Sequence, residues 1–411
     1  MMRAIRIVAI VTAAVFTACF GAGPLPTPPT SATAVFSISP TLTDNTNCAS
    51  YYIGDVALGS DAGYAIAIPY KPQSCGGGGS LGQNLPQPVF RFGKTGDVTM
   101  IGSAGTSTGN SEPKIAATGS GAVWAYALST GNTIQIDPGA MLISIPQSGG
   151  PTVGPATLIA ATDALYLAAA PSQTQIPPND PSYPCCNSMQ GGGNPGAIQA
   201  IATAPAFATI TPILACTAAN RCLAVNTDNV YYFDQPTGSI GMTSAVEQTT
   251  KAGATTTIGQ IGMTSTITSP VGIAADETAA VWAASVNYAN TSSTPLRGCV
   301  ISKYDVGGST TALFTTTRFS CMDIALDGTH IYFAIVSVIG SDSNSQYMRG
   351  DGVGRVDRTT GALESLDLGI ISPESGPRRV YVDDTDLYLV DPVVIGKIAK
   401  TALDGRHDFQ P

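Results

Sequence analysis

Charge is what this sequence has least of. Only 11% of its 411 residues are Asp, Glu, Lys or Arg, against about a quarter in an ordinary soluble domain. Those few sum to −9, and no basic run occurs. A phosphate backbone is therefore repelled, which excludes nucleic acid as a partner. Histidine is nearly missing as well. His330 sits in a turn between apolar runs and His407 in the C-terminal tail; neither lies beside a serine or cysteine nucleophile, so no triad is built on them. No C-x-x-C pair occurs, which removes the usual zinc spacing. The stretch "FGKTG" at Phe92–Gly96 has Pro88 where a phosphate loop requires its first glycine, and it reads as a hairpin turn. Heptads are absent, and helical periodicity is confined to the first residues. No catalytic residue and no metal ligand is assigned.

What is present at the N-terminus reads as an export signal. Arg3 and Arg6 form a positive start, and Ile5 to Phe16 is an apolar core too short to span a bilayer comfortably. "FTAC" then ends on Cys19. This resembles a bacterial lipobox, in which cleavage before the cysteine frees it for acylation, although Phe16 stands where leucine is usual. An ordinary secretory peptide is the alternative. "GPLPTPPTS" follows as an extended Pro-rich tether. The expected organisation is a signal peptide over 1–18, a tether over 19–32 and one large β domain over 33–411.

The β domain repeats itself. "GIAADETAAVWAAS" from Gly272 returns as "DIALDGTHIYFAIVS" and "RVYVDDTDLYLVD". Each copy is a short apolar strand, an acidic turn and a second strand carrying an aromatic. Aligned on that aromatic, the copies centre on Tyr64, Trp124, Tyr166, Tyr231, Trp282, Tyr332 and Tyr388. After a variable loop comes a third strand, as in "CVISKYDVGG" from Cys299, and after a Gly turn a fourth, as in "ALFTTT". Four strands per copy is the signature of a β-propeller blade. The sequence therefore predicts an all-β, seven-bladed propeller, with six or eight blades as alternatives and two stacked sandwiches as a different fold. The last copy lacks a fourth strand. "TAVFSIS" at Thr33–Ser39 is a strand without a hairpin, and it is expected to complete that blade and close the ring.

The "IA-x-D … V-Y/W" anchors resemble the repeats of NHL-type and YWTD-type propellers, including those of exported bacterial lipoproteins. The likeness runs over residues 33 to 411. It concerns core positions, so it implies a fold and no catalytic residue.

With the strands of a blade lettered a to d from the centre, the d–a and b–c links share one face. Apart from Cys19, eight cysteines remain, an even number suited to disulfides in an oxidising compartment. All eight fall on that face: Cys48, Cys75, Cys185, Cys186, Cys216, Cys222, Cys299 and Cys321. Neighbour logic pairs Cys48 with Cys75 and Cys299 with Cys321. Cys185 and Cys186 pair with Cys216 and Cys222 in an order left open, a vicinal Cys185–Cys186 bridge being the alternative. The same face carries the longest insertions, "KPQSCGGGGSLGQNLPQP", "PSQTQIPPNDPSYPCCNSMQGGGNP", "NYANTSSTPLRG" and "GSDSNSQYMRG". Insertions of this length are functional or disordered. Tyr70, Tyr183, Tyr288 and Tyr347 lie on or beside them as candidate contact residues; for each, local packing is the plainer alternative. At the mouth of the channel the inner strands bring Asp55, Lys114, Asp323, Arg378 and Arg379, charges that can hold a polar ligand or neutralise one another.

The expected function is non-catalytic binding of an envelope or extracellular protein or glycan through the loop-rich, disulfide-pinned face. The expected molecule is an exported monomer, tethered to the outer membrane by lipid, on a side the sequence does not specify. No cofactor is expected; calcium is the one cation left open, at "DDTD" (Asp383–Asp386), where a turn is the better reading. The alternative is a channel-centred, metal-dependent enzyme of lactonase or lyase type.

Overall fold

The computed structural model describes residues 32–38, 49–70, 85–107, 114–117, 123–127, 132–136, 143–145, 156–160, 164–169, 197–202, 208–210, 223–234, 244–250, 254–261, 267–288, 296–317, 319–342, 345–368 and 379–406. These form seven four-stranded antiparallel sheets, here numbered I to VII. In chain order, sheets I to VI cover 50–107, 114–145, 156–210, 223–261, 267–316 and 320–368, each a simple meander of strands a, b, c and d. Sheet VII takes its first three strands from 379–399 and its outer strand from Thr33–Ser37, which pairs antiparallel with Val394–Ala399. Past Ala399 the chain makes a short 3-10 turn, Lys400–Leu403, in place of a fourth strand.

Inner strands such as Ala62–Tyr70 read as continuous apolar runs because both of their faces are covered. Successive side chains alternate across a strand. In strand b of sheet VI (His330–Asp342), Tyr332 and Ala334 pack with Val380, Leu387 and Leu389 of sheet VII. Phe333 and Ile335 pack the other way, with Val281 and Ile301 of sheet V. Phe333 is seated against Gly354, where an added Cβ would stand 2.1 Å from the ring. Each such buried ring contributes about 1.5–3 kcal/mol by leaving water.

Alternation also corrects the alignment of the copies on their aromatics. Tyr332 lies opposite Ala325, but Trp282 lies opposite Ile273, one residue further along its strand. Val281 holds the position equivalent to Tyr332. A shift of one residue turns a side chain to the other face, so Trp282 packs backward on Tyr231 and Ile258 of sheet IV, whereas Tyr332 packs forward. The insertion "GSDSNSQYMRG" is also shorter than its composition suggests. Strand b of sheet VI runs to Asp342 and strand c starts at Ser345, because cross-hairpin backbone bonds hold polar residues as readily as apolar ones.

First strands of consecutive sheets touch from I through VII, and sheet VII packs on sheet I through Tyr388, Val390 and Phe36 against Val56, Ala65 and Phe90. The molecule is thus all-β and built of four-stranded antiparallel sheets, the architecture of a β-propeller. Alternating chain direction puts d–a and b–c links at one end, the loop face, and a–b and c–d turns at the other, the turn face.

Candidate functional site

At the loop face the structure joins Cys299 to Cys321, with Cα atoms 5.5 Å apart. The bridge ties strand c of sheet V (Leu296–Asp305) to strand a of sheet VI (Ser320–Leu326). Both cysteines are buried. Cys19, Cys48, Cys75, Cys185, Cys186, Cys216 and Cys222 lie outside the described residues, as do Tyr183 and Arg378. Tyr70 ends strand b of sheet I (Ala62–Tyr70). Its ring stands edge-on to Tyr52, centroids 5.7 Å apart, and it is 37% exposed. Tyr288 ends strand b of sheet V (Ala279–Tyr288), and Tyr347 lies near the start of strand c of sheet VI (Ser345–Asp357), so the backbone brings both to the loop face. Replacing Cys299 and Cys321 together by alanine is expected to lower stability by about 2–4 kcal/mol. The check is chemical unfolding of the double variant beside oxidised wild type.

The inner-rim candidates do come together, and they hold the sheets to each other. Asp55 accepts a hydrogen bond from the Ile115 amide of sheet II at 3.0 Å, and it pairs with the Arg379 guanidinium of sheet VII. Asp323 accepts one from the Val380 amide at 3.0 Å, so the same device links sheets VI and VII. Burial disfavours the charge on Arg379, but Asp55, then Tyr381 and last Asp323, more than restore it. Lys114 begins strand a of sheet II (Lys114–Ala117).

Asp55 and Asp323 do not precede their inner strands, as expected of residues at the channel mouth, but lie inside them. Strand a of sheet I is Ser50–Leu58. An irregularity in the pairing falls just before Asp55, Gly272 and Asp323, with Gly54, Val271 and Met322 as the extra residues. A bulge breaks the period-two pattern, which reads in sequence as a strand end, and it re-aims the side chain that follows. Gly272 leaves room for its neighbour: a Cβ there would stand 3.0 Å from Asp323 Oδ1.

The turn face holds a second set of clasps, which sequence reasoning missed. The a–b turns are built on Asn226, Asp276, Asp327 and Asp383. Each side-chain oxygen accepts from amides two and three residues on, as Asp327 does from Thr329 and His330 at 2.9 and 2.8 Å. A cation from the c–d turn of the next sheet then reaches each aspartate. Arg358 of sheet VI binds both oxygens of Asp276 in sheet V. Lys400 of sheet VII reaches Asp327 at 2.6 Å, and Lys94 of sheet I reaches Asp383 at 2.6 Å. Sheet V carries Val306 in that slot, and the corresponding turn residue of sheet IV is the neutral Asn226. Tyr332 and Tyr388 donate their hydroxyls to Asp327 and Asp383 at 3.1 and 3.0 Å. Burial pushes both phenols up, and the carboxylates push them further.

These contacts set the acidity of the turns. Burial alone would raise Asp276, but Arg358 and the Thr278 and Ala279 amides outweigh it and hold the carboxyl at about 2. Asp383 is held at about 2 in the same way, by Lys94 and the Asp386 and Thr385 amides. Asp327 is drawn down further, by Lys400 with the Thr329 and His330 amides. The sequence did contain a signal: the cation follows strand c and precedes a threonine each time, as Lys94-Thr95, Arg358-Thr359 and Lys400-Thr401. The "DDTD" turn is one member of this set, its first carboxylate bound to Lys94. Among the described residues, no three His, Cys, Asp or Glu side chains gather in a way that could hold a metal ion.

No protein-family model matches the chain, and no curated protein matches it by sequence. Among solved structures it resembles hydrazine synthase of Kuenenia stuttgartiensis, at 13% identity and a TM-score of 0.53, over 94% of this chain and 99% of that one. Virginiamycin B lyase of Staphylococcus aureus aligns at 12% identity and a TM-score of 0.48, over 86% of this chain and 96% of that one. Drosophila semaphorin 2a aligns at 8% and 0.48, over 92% of this chain and 77% of that one. At such identities the likeness is one of fold, a β-propeller, and it carries no activity with it.

Proposed function

We propose that this protein is a non-catalytic, seven-bladed propeller, closed by its N-terminal strand, that binds a protein or glycan partner of the cell envelope through its loop face. Closure is supported at the junction of sheets VII and I by Thr33–Ser37 beside Val394–Ala399, by Asp55 with Arg379 and by Lys94 with Asp383. The reading further takes the chain to be exported as a monomer and anchored through acylated Cys19, with residues 19–32 as tether.

One observation carries the choice of face. Asp55, Arg379 and Asp323, the inner-rim charges a channel enzyme would use, are engaged in holding adjacent first strands together. At the turn face Arg358, Lys400 and Lys94 are likewise engaged, by Asp276, Asp327 and Asp383. The loop face carries the longest insertions of the sequence, and Tyr70 stands on it 37% exposed. Its end of the molecule is pinned by Cys299–Cys321, which reduces the ordering entropy that binding must overcome.

The test is affinity capture from envelope extract with wild type and with the variant Tyr183→Ala, Tyr288→Ala, Tyr347→Ala, compared by quantitative mass spectrometry. Partners retained by wild type are expected to fall about tenfold in the variant, the loss of about 1.4 kcal/mol. An unchanged partner set removes the loop face from consideration.

A further inference from the structure

The position of the N-terminal strand decides which way the molecule stands. Thr33 lies opposite Lys397, near the end of strand c of sheet VII (Val394–Ala399), and Ser37 lies opposite Val394, at its start. Ile38 then donates its amide to the Val393 carbonyl at 2.9 Å, and Val393 belongs to a b–c link. The strand therefore runs from the turn face to the loop face. At its beginning, Ala32 packs on the cluster that contains Val382, Ala402 and Leu403. Lys400, one turn from Leu403, reaches Asp327 in the a–b turn of sheet VI. The chain preceding Ala32, with Cys19 in it, thus leaves from the turn face, at the end of the molecule opposite Cys299–Cys321.

We infer that the anchored protein stands on its turn face and presents its loop face away from the bilayer. This rests on the proposed acylation of Cys19. The turn face is not itself a membrane-binding surface. Its exposed positions include Asp61, Asp97, Asp228, Glu277, Asp305 and Asp384, while Arg358, Lys400 and Lys94 are engaged by aspartates. Anionic headgroups repel such a surface, so the body is held off at the reach of its tether. From Cys19 to Ala32 that reach is about 40 Å at the rise of a polyproline helix. A nine-residue strand such as Ser50–Leu58 adds about 30 Å of body height. The partner of the loop face is accordingly a macromolecule of the aqueous phase or of an opposing surface, up to about 70 Å from the anchoring bilayer, and not a lipid of that bilayer.

Energy transfer to the membrane tests this. The intact acylated protein is reconstituted in phosphatidylethanolamine–phosphatidylglycerol vesicles carrying a headgroup acceptor. A donor is placed on the turn face by Thr360→Cys or on the loop face by Val393→Cys; both sites are exposed, and each is labelled after the native disulfides have formed. Transfer from position 360 is expected to exceed that from position 393 about twofold or more, given the roughly 30 Å between faces. Equal transfer, or more from position 393, overturns the orientation. Flotation with the vesicles is scored separately, with Cys19→Ala as the form that should not float. Wild type that fails to float overturns the anchor and the orientation together; wild type that floats with position 393 nearer overturns the orientation alone.

Discussion

Replacing Arg379 with methionine is expected to lower folding stability by about 3–5 kcal/mol, the usual consequence of stripping the cation from a buried ion pair. Arg379 and Asp55 are each only 11% exposed at the side chain. Without the guanidinium, Asp55 keeps its bond from the Ile115 amide but holds an uncompensated charge at the junction of three sheets. Asp323, fully buried nearby, loses the same counter-charge. The measurement is the urea midpoint of Arg379→Met beside wild type. A second substitution separates charge from packing. Asp55→Asn retains a carbonyl oxygen for Ile115 and removes the negative charge, so Asp55→Asn with Arg379→Met is expected to recover more than half of the loss. If Arg379→Met instead loses less than about 1 kcal/mol, the range of an exposed pair, the guanidinium is not structural. It then becomes available to a ligand in the channel, which would favour the enzyme reading over the loop face.

The fold was legible in the sequence because its signals are local. Acidic turns, Gly turns and the interval between aromatics mark hairpins one at a time, and seven hairpin pairs leave little choice of packing. The pairing of Cys299 with Cys321 followed from chain direction, which puts both at the loop face, and from the adjacency of consecutive copies. Relations between copies were harder to read. Trp282 attracted the alignment because it is large, although register assigns its place to Val281. The bulges before Asp55 and Asp323 looked like strand starts because one extra residue interrupts alternation. The clasps of the turn face escaped for a different reason. Arg358 and Asp276 are far apart in sequence, and each alone resembles an ordinary solvated turn residue. Only the angular succession of sheets makes the c–d cation of one the neighbour of the a–b acid of the sheet before it.

Those clasps make the protein acid-labile in a defined window. Asp276 and Asp383 are held at about 2, and Asp327 is depressed further, against about 3.9 in an unfolded chain. A carboxyl whose pKa falls on folding contributes stability that is complete above the unfolded value and lost as pH drops through the folded one. The loss therefore begins near pH 4; for Asp276 and Asp383 it is largely complete near pH 2, and for Asp327 it continues below that. A fall of about two units corresponds to about 2.6 kcal/mol for Asp276 and for Asp383 before screening. Solvent screens the pairs, through Lys94 at 38% exposed and Asp276 at 33%, so about 1–2 kcal/mol each is the realistic share, or about 3–6 kcal/mol for the three junctions together. Urea unfolding at pH 7, 4 and 2 should show a flat upper limb and then this fall. The variant Lys94→Met, Arg358→Met, Lys400→Met removes the cations and leaves the turn amides in place. It should be less stable than wild type at pH 7, and its curve should approach that of wild type as pH nears 2, because protonated aspartates no longer distinguish the two proteins. A variant that starts lower but falls in parallel with wild type would place the acid-sensitive groups elsewhere, and the three junctions would then be held by their apolar contacts alone.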